Sequence, residues 1–322
     1  VKKLTVLCLI VFVWLVPGVI LAQSPSILTT VEFSSRVVTK TGIMEEPISA
    51  EFYLPESGQP VSPAMVIINS SGGVANHIER YYAKQLNENG IAALVVDSFT
   101  KRGIKHTVND QTQISLWKME ADAFSALDWL RQHPRIDSAR IGVMGVSKGG
   151  GVAVNTALDE RRKWAGRKDD AFSLHVAIAP PGNLQHRDAR TSNRPILFMI
   201  GELDDYAGSS PAIEYAERIR SAGNPYVAVK VYQGAHHAWE SIGPLRYLPQ
   251  AENGSNCRGL IESNGDVTMA ADNIRLSSQE YGKWIGDNCL TRGAHVGGGT
   301  AELKARATAD LIGFLKENWQ GE

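Results

Sequence analysis

Three short stretches of this chain hold residue types that could together carry out nucleophilic chemistry. The first is Gly145-Val146-Ser147-Lys148-Gly149-Gly150, a serine with glycines two positions before and two after it, between an apolar run and a small-residue helix. In a G-x-S-x-G turn the glycines let strand and helix approach, the serine backbone is strained, and the hydroxyl is raised above the sheet. The Lys148 N–H then opens a helix whose dipole favours developing negative charge. A serine near neutral pH also needs a base, and the base needs an acid to hold its tautomer. Carboxylates stand in Ile200-Gly201-Glu202-Leu203-Asp204-Asp205, and imidazoles in Tyr232-Gln233-Gly234-Ala235-His236-His237-Ala238-Trp239, each just after an apolar run. A glycine-rich turn alone often has no chemical role. Serine, then carboxylate, then histidine, all at strand ends, is much harder to obtain by chance.

The elements that must position these residues can be read from periodicity. Residues 31–38 and 48–54 read as an antiparallel strand pair, followed by a Pro/Gly/Ser linker over 55–63. Residues 64–69 and 91–97 are continuous apolar runs, as expected of strands buried on both faces. The spacing predicts helices over 78–89, 117–132, 149–158, 213–222 and 301–319, and further strands over 141–145, 174–179, 195–200 and 226–232. This alternation implies a mostly parallel sheet with helices on both faces, an α/β fold. Residues 240–299 break the rhythm: they are rich in Gly, Asn and Ser, hold two cysteines, and are too long to be a structureless loop.

The chain resembles the dienelactone hydrolase family of α/β-hydrolases over roughly residues 48–240 and the final helix. The resemblance rests on Ile67-Ile68-Asn69-Ser70-Ser71-Gly72-Gly73, Asp97-Ser98-Phe99-Thr100-Lys101-Arg102-Gly103 and the three stretches above. It implies an α/β-hydrolase domain over residues 23–322 with an insertion at about 240–299. It also implies hydrolysis of a carboxylic ester or lactone through an acyl-serine, with Ser147 as nucleophile, Asp204 as acid, His237 as base, and no cofactor. The namesake enzymes have cysteine where this chain has Ser147, and His-Gly where it has Asn69-Ser70. For the oxyanion hole the Lys148 N–H pairs with a backbone N–H of Ser71 or Gly72. Arg102 could grip a substrate carboxylate or serve a structural ion pair. Neighbouring side chains point to opposite sides, so His236 and Asp205 should face away from the site that His237 and Asp204 face. A peptidase or acyltransferase with the same residues, and a non-catalytic binder on the same fold, are the competing readings.

With 33 Lys and Arg against 34 Asp and Glu in 322 residues and no long basic run, nothing favours a nucleic-acid partner. The expected partner is a small ester, and oligomeric state is left open. The remaining histidines lack ligand spacing, so no metal is expected. Lys2 and Lys3, an uncharged apolar stretch, Pro17-Gly18 and then Ala22 follow the order of a signal peptide over 1–22, cleaved near Ala22; an uncleaved anchor is the alternative. The body should therefore be exported, with no membrane attachment after cleavage. Cys8 lies in that signal, which leaves Cys257 and Cys289 to form a disulfide or to remain as free thiols. Asn253-Gly254-Ser255 is a formal glycosylation sequon.

Overall fold

The structure is a computed structural model that describes residues 26–319 except Ser57 and Gly58. The expected signal, with its Cys8, lies outside the described residues. The chain opens with a long hairpin, β1 (Ser26–Thr39) and β2 (Gly42–Pro55), turned at Lys40-Thr41. Both strands exceed the 31–38 and 48–54 expected from apolar alternation, because residues 28–30 of β1 and 42–45 of β2 pair while exposed and so leave no alternation to read. Then β3 (Ser62–Ile68), α1 (Glu79–Glu88), β4 (Ala92–Asp97), α2 (Leu116–Arg131), β5 (Ile136–Val146), α3 (Lys148–Ala157), α4 (Asp159–Trp164) and β6 (His175–Ile178) follow. After β7 (Leu184–His186), the rhythm resumes with β8 (Ile196–Gly201), α5 (Ser209–Ser221) and β9 (Val227–Tyr232).

The main sheet has eight strands in the order β1-β2-β4-β3-β5-β6-β8-β9. Its first two pairings, β1 with β2 and β2 with β4, are antiparallel, and the remainder are parallel. β3 shows why both faces must be covered. Met65 and Ile67 join the cluster containing Tyr82 and Leu86 of α1, while Val66 and Ile68 join the one containing Phe124 and Leu127 of α2. Successive side chains of a strand point to opposite faces, so an unbroken apolar run needs a helical layer on each. All four are at most 1% exposed, each worth about 1.5–3 kcal/mol of burial. The closing helix α7 (Ala301–Trp319) joins α1's face through Ala307, Leu311 and Leu315.

Residues 240–299 are ordered by short pieces rather than by one core. β10 (Leu245–Asn253) pairs antiparallel with β14 (Thr291–Gly297). Between them, β11 (Gly259–Ile261), β12 (Val267–Met269) and β13 (Arg275–Leu276) build a four-stranded sheet on β7, followed by α6 (Ser278–Asn288). Ser277 and Glu280 form a capping box at the start of α6. Cys257 and Cys289 are bridged, with Cα atoms 5.2 Å apart, which joins the start of the small sheet to the end of α6. This answers the open choice between disulfide and thiols in favour of the disulfide.

The small cluster of Val267, Met269 and Leu276, with Tyr281, Trp284 and Ile285 against it, is too slight to hold this segment by burial alone. Replacing both cysteines with alanine is therefore expected to cost about 2–4 kcal/mol in unfolding free energy, within the segment first. Denaturant melts and hydrogen exchange over 257–289 measure this, and mass spectrometry of non-reduced protein must show the bridged species. Two free thiols would refute the staple.

Candidate active site

β5, β6, β8 and β9 are parallel neighbours, so the turns after their carboxyl ends open on one edge of the sheet. In open α/β sheets that edge is where ligand sites form. Ser147 follows β5, Asp204 lies just beyond β8, and His237 lies just beyond β9. Ser147 sits at φ 57°, ψ −119°, a conformation that costs a non-glycine residue about 1–3 kcal/mol. Its N–H donates to Ile178 O at 2.8 Å and its C=O accepts from Gly151 N at 3.0 Å, which hold the turn closed. Glycines are required here by contact. A Cβ on Gly145 would lie 2.3 Å from the carbonyl carbon of Gly149, and one on Gly149 would lie 2.2 Å from Ile68 O.

His237 Nδ1 and Asp204 Oδ2 are 2.8 Å apart, and the two residues are 3% and 6% exposed. The other Asp204 oxygen accepts from the N–H groups of Tyr206 and Ala207, both at 2.9 Å, so both carboxylate oxygens are committed. Burial alone would raise the Asp204 carboxyl, but the His237 charge and these hydrogen bonds outweigh it and hold the group below its ordinary 3.8. Burial likewise works to lower His237, and the Asp204 carboxylate overrides it, leaving the imidazole above its ordinary 6.5. Among the described residues no hydrogen bond joins the Ser147 hydroxyl to the imidazole; such bonds tighten when substrate is bound.

The neighbouring residues face elsewhere. Asp205 is exposed and binds His295 of β14, accepting from its backbone N–H at 3.0 Å and meeting its Nδ1 at 2.7 Å. The His236 ring lies 6.1 Å from the His295 ring, on that outer side. His237 is fixed from a distance as well, because its C=O accepts from Gly297 N at 2.8 Å at the far end of the 240–299 segment.

Ser70 to Gly73 form a turn closed by Gly73 N donating to Ser70 O at 3.0 Å. Such a turn leaves the N–H groups of its two central residues, Ser71 and Gly72, unused. Glu79, fully buried, braces it by accepting from Ser70 N at 2.9 Å and Ala75 N at 2.8 Å. Ser71 is buried and lines the same cavity as Ser147 and Lys148, whereas Gly72 is exposed and does not. Of the two alternatives expected beside Lys148, only Ser71 lines the cavity.

Arg102 is not brought there. Its guanidinium grips both oxygens of buried Asp122, at 2.8 and 2.9 Å, and also bonds Glu46 and Ser98 O. The expectation that it could hold a substrate carboxylate is corrected: its guanidinium is held in structural ion pairs with Asp122 of α2 and with Glu46. The sequon stays a formal match, since Asn253 is 8% exposed and its amide donates to Asp205 O and Gly293 O.

Sequence reasoning missed several members of the site. Tyr206 packs edge-on against His237, ring centroids 4.9 Å apart, and its hydroxyl meets Gln111 Nε2. An aromatic two residues past Asp204 was the one signal available for it. Gln111 also accepts from Ser71 Oγ at 3.1 Å. Lys148 contributes its side chain as well: Nζ donates to Thr107 Oγ1, Gln111 O and Ile114 O at 3.0–3.3 Å. Burial brings this ammonium down to about 8, with the Glu252 and Asp110 carboxylates acting in the opposite direction. The cavity measures about 540 Å³, and β10, α6 and Cys257 form one of its walls. Among the described residues no cluster of three His, Cys, Asp or Glu side chains could hold a metal ion, and no helix is long and apolar enough to cross a membrane.

Comparison with known proteins bears on this geometry. The dienelactone hydrolase family model matches residues 49–258. The chain belongs to the dienelactone hydrolase family. A Bradyrhizobium protein named "Probable 2-oxo-3-(5-oxofuran-2-ylidene)propanoate lactonase" is 24% identical over 208 residues, 59% of this chain and 78% of that protein. Among solved structures, one called m3DLH superposes with a TM-score of 0.56 at 16% identity, covering 90% of this chain and 98% of that one. The dienelactone hydrolase-like promiscuous phosphotriesterase P91, from metagenomic libraries, has a TM-score of 0.51 at 16% identity, covering 89% and 98%. These two likenesses establish the α/β-hydrolase fold of this dienelactone hydrolase family member. The family match starts in β2 and ends one residue past Cys257, so most of the small sheet and all of α6 lie beyond it.

Proposed function

We propose that this protein hydrolyses a carboxylic ester or lactone through an acyl-serine intermediate, with Ser147, His237 and Asp204 as its working residues. The observation that carries the reading is the buried Asp204–His237 bond, set at the same sheet edge as a serine held at positive φ. In the first step Ser147 Oγ bonds to the substrate carbonyl carbon while His237 Nε2 takes the hydroxyl proton. The carbonyl oxygen becomes an oxyanion facing the Lys148 and Ser71 N–H groups, and the α3 dipole favours that charge. His237 then protonates the departing alcohol, and a water deprotonated by the same ring releases the acid and restores Ser147. Asp204 stays ionised throughout and holds the imidazole in one tautomer. We further propose that the protein is exported, supported by the Cys257–Cys289 disulfide, which persists in oxidising compartments.

The test is labelling of Ser147 by a fluorophosphonate, identified by peptide mass spectrometry and followed against pH. Only the neutral imidazole can accept the proton, and His237 lies above its ordinary 6.5, so the rate should fall as pH drops through a value above 6.5. Asp204→Asn removes the charge that raises the ring. The limb should then move to lower pH, because burial opposes the charged ring, while the rate drops by about 10⁴-fold as the tautomer is lost. Absence of labelling would favour a binding protein on this fold.

A further inference from the structure

The walls of the cavity before Ser147 say which substrates it can take, and this inference rests on the acyl-serine reading above. Most of the surface it presents is apolar, with Ile114 and Leu116 on one side and Tyr281, Ile285 and Leu290 from the 240–299 segment on the other. Two charged side chains reach the lining, Lys148 and Glu252. The Lys148 ammonium has three protons, and Thr107 Oγ1, Gln111 O and Ile114 O accept them. It ties the 107–114 wall to the serine turn and keeps no proton for a ligand. Glu252 differs: one of its oxygens accepts from Gln111 N at 2.5 Å, and among the described residues no Lys, Arg or His lies within ion-pair distance of it. Arg102, the other cation near a strand end, is committed to Asp122.

We propose that Glu252 is a specificity-determining residue that excludes anionic substrates, and that the cavity takes esters or lactones whose enclosed group is apolar and uncharged. A substrate carboxylate placed there would lose its hydration, find only hydroxyl and amide donors because the Lys148 ammonium is already committed, and face a second carboxylate. Like charges juxtaposed in a partly dry site discriminate strongly, and the apolar walls offer nothing in return.

The experiment uses aryl esters of equal length in two series, the acyl chain or the alcohol ending in either a carboxamide or a carboxylate. Active enzyme is counted by fluorophosphonate titration. In the series whose varied group enters the cavity, kcat/KM for the carboxamide should exceed that for the carboxylate by about 100-fold. Glu252→Gln should shrink that ratio by about 10-fold or more, chiefly by raising the rate on the anion, while Glu252→Asp should keep most of it. A measurement on the wild-type protein alone stands beside the variants: a trimethylammonium-ended ester should outpace the carboxylate-ended one. Near-equal rates for carboxamide and carboxylate in both series, or an unchanged ratio in Glu252→Gln, would overturn the proposal while leaving the acyl-serine reading intact. Failure to label Ser147 together with no hydrolysis in either series would overturn both.

Discussion

Ser147→Ala is expected to lower ester kcat/KM by about 10³-fold or more while leaving the fold in place. Alanine keeps the Cβ, so the backbone at φ 57° is no more strained than before, and the missing Oγ had no hydrogen-bond partner to orphan among the described residues. Unfolding midpoints of variant and parent should therefore nearly coincide, and the loss reads out chemistry alone. Ser147→Gly sharpens the point. Glycine adopts this conformation freely, so that variant should be equally inactive yet more stable by about 1 kcal/mol. Near-wild-type turnover in either variant would end the acyl-serine reading.

The second large effect separates two adjacent histidines. His237→Ala should approach Ser147→Ala in severity, because the serine then has no acceptor for its proton. It should also destabilise, since the almost fully buried Asp204 keeps only the Tyr206 and Ala207 N–H groups as partners. His236→Ala, on the outer side near His295, should cost less than about 5-fold, a surface-scale effect. Steady-state kinetics on one neutral ester decides it. A His236→Ala loss as deep as that of His237→Ala would show that the pairing with Asp204 is not the working one.

Local geometry makes legible that one residue of each adjacent pair faces the site, and the family resemblance, not geometry, is what singled out His237 and Asp204. A serine between spaced glycines, and paired Asp-Asp and His-His steps after apolar runs, carry their own directions: one neighbour faces in, the other out. The layered sheet was legible for the same reason, since 64–68 has no polar face to offer solvent. What escaped depended on partners far along the chain. Arg102 could face the cavity or Asp122 on α2, and nothing within its own segment distinguishes the two. Gln111 and Glu252 meet across 141 positions. The strands between Cys257 and Cys289 are two or three residues long, too short for any alternation to register. Their order comes from a covalent bond and a borrowed edge at β7.

The 240–299 segment leaves the sheet just after His237 and returns to it, with Gly297 N bound to His237 O and Gly299 N to Ser241 O. Both of its ends are thus fastened at one short stretch beside the imidazole, while its middle reaches out over the cavity. Such a closed excursion behaves as a replaceable cassette. Its interior can change in length or character, and with it one wall of the cavity, while the fastened ends hold His237 in place.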